Sequence, residues 1–133
     1  MTAELAWLLA TALLGASLWI PYIVGVNTSP VDTTDFTRPA DPAVHAAWVH
    51  RAWRAHLNLL EQMMPFAVVV LIAHAAGVSN AVTVWTCTAF FWIRVIHAAG
   101  MISGLAVFPI RPIIFTLGWL CILILALQVL LAA

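Results

Sequence analysis

The chain has 133 residues, of which 65% are hydrophobic and only 8% charged, and it carries no net formal charge. A water-soluble domain has about a quarter charged residues, so this composition excludes a solvated globular surface. A basic nucleic-acid-binding face is excluded too, because such a face needs clustered basic residues exposed to water. A spanning helix takes about 20 apolar residues, so the length accommodates four spans in a single domain.

In chain order, the first span is expected over about residues 3–26, with Pro21 kinking its last part. Glu4, with no basic residue near it, argues for a retained span rather than a cleaved signal segment. Residues 27–40, with Asp32, Asp35, Arg38 and two prolines, read as an irregular loop. Asp41-Pro42 is a helix start, an acidic cap followed by proline at the first helical position. The helix it opens continues to Ala76, with residues 46–76 forming the second span. That length exceeds the hydrocarbon thickness of about 30 Å, so His45, Trp48, His50 and Arg51 are expected to project into headgroups or water. Gly77 to Asn80 is a tight turn, with Gly as helix stop and Ser79 or Asn80 capping the next helix. The third span covers about 81–103 and the fourth about 112–131, linked by Gly104 to Arg111. The fold class is an all-α integral membrane four-helix bundle.

Arg38, Arg51 and Arg54 flank the first loop, and Arg111 lies in the third. By the positive-inside rule both loops are cytoplasmic and both termini lie outside. Trp48, Trp53 and Trp119 suit interface anchoring. Cys87 and Cys121, inside apolar runs, read as packing residues. No two histidines share a helix face at a metal-binding spacing, so no metal is expected. His74, alone in an apolar run, reads as a helix-packing residue.

Ionisable groups inside a span are costly and usually functional. Arg51, Arg54, Asn58 and Glu61 fall within about 80° of one another on a helical wheel. Arg94 and His97 share a face of the third helix. Counted outward from the turn, Glu61 and Arg94 lie at similar depth, so a Glu61–Arg94 ion pair between two helices is expected. Arg51, Arg54 and Arg111 exceed what one glutamate neutralises. Guanidinium groups in that number suit an anionic, carboxylate-bearing ligand; the alternative is snorkelling to lipid headgroups.

The run Arg54-Ala-His56-Leu-Asn58-Leu-Leu-Glu61-Gln-Met-Met-Pro65-Phe66 resembles the signature RAHxNxxExxxPF of the MAPEG family, the membrane-associated proteins of eicosanoid and glutathione metabolism. Arg94-Val-Ile-His97, Pro109-Ile-Arg111 and Ala126-Leu-Gln128 are similar to the family's third and fourth helices. The helix ends look like its bacterial branch, which implies a bacterial inner membrane. The resemblance implies a homotrimer that binds reduced glutathione between subunits near the cytoplasmic face, while lipophilic substrates enter from the bilayer. Carried over by position, Arg54, Asn58 and Glu61 would hold glutathione, joined by Arg51 from the same stripe and by Arg94 and His97 from the third helix. Arg111 would stabilise the thiolate, since a nearby cation raises the nucleophilic fraction of a thiol.

The implied function is a glutathione transferase or peroxidase acting on lipophilic electrophiles or lipid hydroperoxides. The chain departs from eukaryotic members at Met101 and Phe115, where they carry tyrosines. Pro112 and Leu57 replace a serine and an arginine of one eukaryotic synthase. These departures keep a second reading open, a non-catalytic MAPEG-like protein that binds a lipid or an anionic metabolite. A third is a small proton-coupled exporter using Glu61.

Overall fold

The computed structural model describes residues 1–29 and 42–132. Among them the elements are α1 (Ala3–Ser17), α2 (Ile20–Asn27), α3 (Ala47–Ala75), α4 (Ala81–Ser103) and α5 (Ile110–Ala132). Four helical stretches are long and apolar enough to cross a membrane, with α1 and α2 together forming the first. The helix interrupts at Leu18 and Trp19, just ahead of Pro21. Proline has no N–H to give the Ser17 carbonyl, and its ring crowds that oxygen. α2 then lies close on the start of α3. A Cβ on Gly25 would strike the Val49 and Trp48 side chains, so only glycine permits that approach.

The second span, Ala47–Ala75, lies within a residue of the expected 46–76 at either end, but the helix that carries it begins later than the Asp41-Pro42 signal implies. Asp41, like Asp32, Asp35 and Arg38, lies outside the described residues. Pro42–Val44 forms one 3-10 turn, Ala46 is extended at φ −55°, ψ 145°, and the helix opens at Ala47 without a side-chain cap. The turn packs on α3 and buries His45. The extended backbone of Ala46 separates this turn from α3, so the Asp-Pro signal opens a single 3-10 turn and not the long helix. The 29 residues of α3 span about 44 Å. Pro65 lies inside it, which leaves the Glu61 carbonyl without its intrahelical donor.

α3 stops in a Schellman arrangement. The Val78 N–H donates to the Ala73 carbonyl at 2.9 Å and the Gly77 N–H to His74 at 3.1 Å. Gly77 takes the left-handed φ of 69° that this geometry demands. Asn80 then accepts from the Val82 and Thr83 N–H groups, and Thr83 reciprocates toward the Asn80 N–H, a capping box for α4. α4 ends on Gly104, again left-handed at φ 85°. The bundle therefore has two ends. One carries the starts of α3 and α5 and the end of α4. The other carries the start of α1, the Gly77–Asn80 turn and the end of α5, where the Asn80 side-chain amide donates to Gln128.

Two apolar clusters fill the interior. Toward the turn, Phe66, Val70, Cys87, Phe90, Cys121, Ile122 and Leu125 pack together, with the Phe66 and Phe90 rings stacked at 3.8 Å between centroids. Both cysteines are buried and free, in keeping with a packing role. Toward the other end, Leu18, Ala55, Leu59, Ala98 and Met101 form the second cluster. The outer faces are apolar, most fully on α5, where Leu117, Leu120, Ile124 and Leu127 are all exposed. Trp48 stands exposed at the start of α3, as an interface anchor would. Trp119 is exposed nine residues beyond Ile110, about 14 Å along the helix, too far from its start to anchor at that interface.

Candidate functional site

A polar layer separates the two apolar clusters, and its centre is Arg94. The side chain is 1% exposed, and its Nη1 donates to Gln62 Oε1 at 2.6 Å. Gln62, itself 4% exposed, spends its Nε2 on the Phe115 carbonyl at 3.0 Å. One amide thus ties α3 to α4 and to α5. Gly118 makes room for it, because a Cβ there would land on Gln62 Oε1.

The expected Glu61–Arg94 ion pair does not form. Glu61 is exposed, and the buried guanidinium takes its neighbour Gln62 instead. The cause is helical phase. With Arg51 at zero, Gln62 lies at about 20°, Asn58 at about 340°, Arg54 at about 300° and Glu61 at about 280°. The buried residues Ala55, Leu59 and Phe66 place the bundle-facing direction at about 60°. The stripe therefore straddles the edge of the buried face: Gln62 and Asn58 point in, while Arg54 and Glu61 point out.

The structure sorts the seven candidate residues into three groups. Asn58, Arg94 and His97 are buried in the bundle, at 9%, 1% and 1% exposure. Each keeps unspent polar capacity: Asn58 Oδ1, Arg94 Nε and Nη2, and His97 Nε2 have no hydrogen-bond partner among the described residues. Arg54 and Glu61 are exposed on α3, and Arg111 is half-buried in the first turn of α5. Arg94 and Arg111 both lie within electrostatic range of His97. Arg51 stands apart, since its Nε donates to the Ile102 carbonyl at 3.2 Å. A cation at the end of α4 satisfies one of that helix's free carbonyls, so Arg51 has a structural partner already.

Gln62 is the residue that sequence reading misses. Its signal was the wheel position, directly between Asn58 and the apolar positions Leu59 and Phe66. Met101 is buried in the second apolar cluster and offers no hydroxyl there. His74 does not pack between helices. It is exposed and lines a cavity at the opposite end of the bundle. Among the described residues no group of three or more His, Cys, Asp or Glu is placed to hold a metal ion.

The MAPEG family model matches residues 5–131, nearly the whole chain. The chain belongs to the MAPEG family. It is therefore an integral membrane helical bundle of the family associated with glutathione and eicosanoid metabolism. The RAHxNxxExxxPF run that carried the resemblance lies wholly on α3, and every MAPEG position discussed above falls within the matched residues. No individual curated protein matches the chain.

Proposed function

We propose that this MAPEG protein binds reduced glutathione at an interface between copies of the chain. It uses the bound thiol as a transferase or peroxidase toward lipophilic electrophiles or lipid hydroperoxides. The observation that carries the reading is the exposure of Arg54 and Glu61 on α3, within a span. Charged side chains do not face hydrocarbon without large cost, so a neighbouring subunit and a polar ligand are their natural cover. In a homotrimer with the arginine end cytoplasmic and both termini periplasmic in a bacterial inner membrane, that cover lies beside the cytoplasmic headgroups. Glutathione has the matching charges: carboxylates for Arg54 and an ammonium for Glu61. Asn58, Arg94 and His97 stand behind them with free donors and acceptors. Arg111, at the mouth of α5, is the cation for the thiolate.

The chemistry needs little more than this. A cation beside sulfur favours the thiolate, which attacks an electrophilic carbon to form a thioether, either expelling a leaving group as its anion or opening an activated double bond whose carbanion then takes a proton. With a hydroperoxide the thiolate attacks the terminal oxygen, the O–O bond breaks and the alkoxide leaves to be protonated to the alcohol; a second glutathione then attacks the sulfenic acid, giving the disulfide and water. The lipophilic substrate reaches the site through lipid.

The second reading, a binding protein without turnover, is favoured by the burial of Met101 and by Phe115, which serves Gln62 through its carbonyl. Neither position supplies a hydroxyl to the thiol. Titration with glutathione, followed by heat and by thiolate ultraviolet absorbance together, separates the two. An enzyme gives saturable heat with a thiolate signal that Arg111→Ala removes and heat that Arg54→Ala removes. Heat without thiolate assigns the second reading. Unchanged affinity in Arg54→Ala overturns the site.

A further inference from the structure

At the end of the bundle away from the arginines, Glu4 is 5% exposed although it begins a spanning segment. Its Oε1 accepts from Ser79 Oγ at 2.8 Å and from Thr83 Oγ1 at 2.6 Å. Its Oε2 is buried and has no hydrogen-bond partner among the described residues. Glu4 lines a cavity of about 210 Å³, together with Thr2, His74, Ser79 and Thr83. Val70 and Leu125 give the same cavity an aliphatic part of its wall.

Two hydroxyl donors on one oxygen are the pattern of a carboxylate acting as acceptor. A buried carboxylate needs a compensating donor or cation on its other oxygen. The chain brings the Thr2 hydroxyl and the Glu4 backbone N–H near the carboxylate but, among the described residues, sets no cationic side chain on its free oxygen. Its arginines at positions 51, 54 and 111 serve the other end, and Arg94 is bound to Gln62. His74 is the one basic side chain lining the cavity, and it is exposed. A hard metal ion wants six or more oxygens, more than this site holds. A primary ammonium fits better: three N–H donors for Glu4 Oε2 and the hydroxyls, with a short carbon body against Val70 and Leu125.

We propose that the Glu4 cavity is a second ligand site of this protein, taking a primary ammonium group carried on a small apolar body. A free alkylamine and the headgroup of an aminophospholipid both present that chemistry. The site is remote from Arg54 and Arg111, so it stands or falls independently of glutathione binding.

The test uses the full chain in a nonionic maltoside detergent, titrated by calorimetry with n-hexylammonium, n-hexanol and hexanoate. Hexylammonium should bind saturably and at least about tenfold more tightly than hexanol, the net value of a charge-assisted hydrogen bond. Glu4→Gln should erase that preference, while Arg54→Ala leaves it intact. Equal binding of hexanol, or a preference that survives in folded Glu4→Gln, overturns the proposal. If Glu4→Gln does not fold, Ala73→Leu fills the cavity with the carboxylate in place. Hexylammonium should then lose its site, and unchanged binding again overturns the proposal. Repeating the titration in nanodiscs distinguishes the two sources. Weaker apparent binding in phosphatidylethanolamine than in phosphatidylcholine assigns the site to the lipid headgroup, and equal binding assigns it to a soluble amine.

Discussion

Arg94 donates to Gln62, and Gln62 in turn spends its amide N–H on a backbone carbonyl of α5, so a single side chain satisfies polar groups from two helices. Replacing Gln62 by leucine keeps the volume and removes both bonds. A buried charged donor left unpaired costs about 3 kcal/mol, so Gln62→Leu should lower the unfolding temperature in detergent markedly. A loss under about 1 kcal/mol would mean that another group takes over Arg94. Gly118→Ala places a methyl group on the Gln62 oxygen and should also destabilise, by about 1–3 kcal/mol. In a Gln62→Ala background that clash is gone, so the two substitutions should be non-additive. Additive effects would show that Gly118 serves something other than this amide. The same pair marks where the sequence ceases to be legible. Glu61 and Gln62 are adjacent, and depth counted along the helix suits either. Only the phase set by Ala55, Leu59 and Phe66 tells which one faces Arg94, and a charge-complementarity argument overrides that phase if it is applied first.

At the scale of elements, the signals that were read correctly are local ones. Gly77 and Asn80 dictate the α3–α4 turn because the left-handed φ and the side-chain cap are properties of those residues alone. The kink around Pro21 follows from its missing N–H in the same way. The start of α3 falls later than the Asp-Pro signal suggests because that signal opens only a 3-10 turn, which the extended Ala46 and the buried His45 set off from the helix. Glu4 was invisible for a different reason: its partners Ser79 and Thr83 lie more than seventy residues away along the chain. Asn80 is the element-scale test. It caps α4 through two N–H groups and also donates to Gln128. Asn80→Ala should cost about 0.5–2 kcal/mol in detergent unfolding, with glutathione affinity unchanged because the cap sits at the other end of the bundle. An affinity loss equal to that of Arg54→Ala would place the binding site at the wrong end.

For the whole molecule, hydropathy alone identified four spans and an all-α membrane bundle, because lipid imposes its length and composition on every helix. It could not say what covers Arg54 and Glu61. A single chain leaves both exposed; a homotrimer would bury them between neighbours. The protein mass of the detergent complex, measured by light scattering, should correspond to three chains of 14.5 kDa. A single-chain mass with glutathione bound would mean that ligand alone covers the charges.

The polar layer also bears on how the protein is made. Arg94 lies near the middle of α4, whose mean hydropathy of 1.3 is the lowest of the four spans. An arginine at that depth costs about 2.5–3.5 kcal/mol on insertion scales, so α4 is the segment least able to leave the translocon unaided. Its partner Gln62 has been synthesised earlier, on α3, which makes α3 and α4 a hairpin that partitions into lipid as one unit. A reporter placed after α4 should therefore show efficient insertion behind native α3. Behind an unrelated apolar segment of equal length, or behind α3 carrying Gln62→Leu, insertion should fall. Equal insertion in all three would mean that α4 enters the bilayer alone, with Arg94 finding its amide only after release.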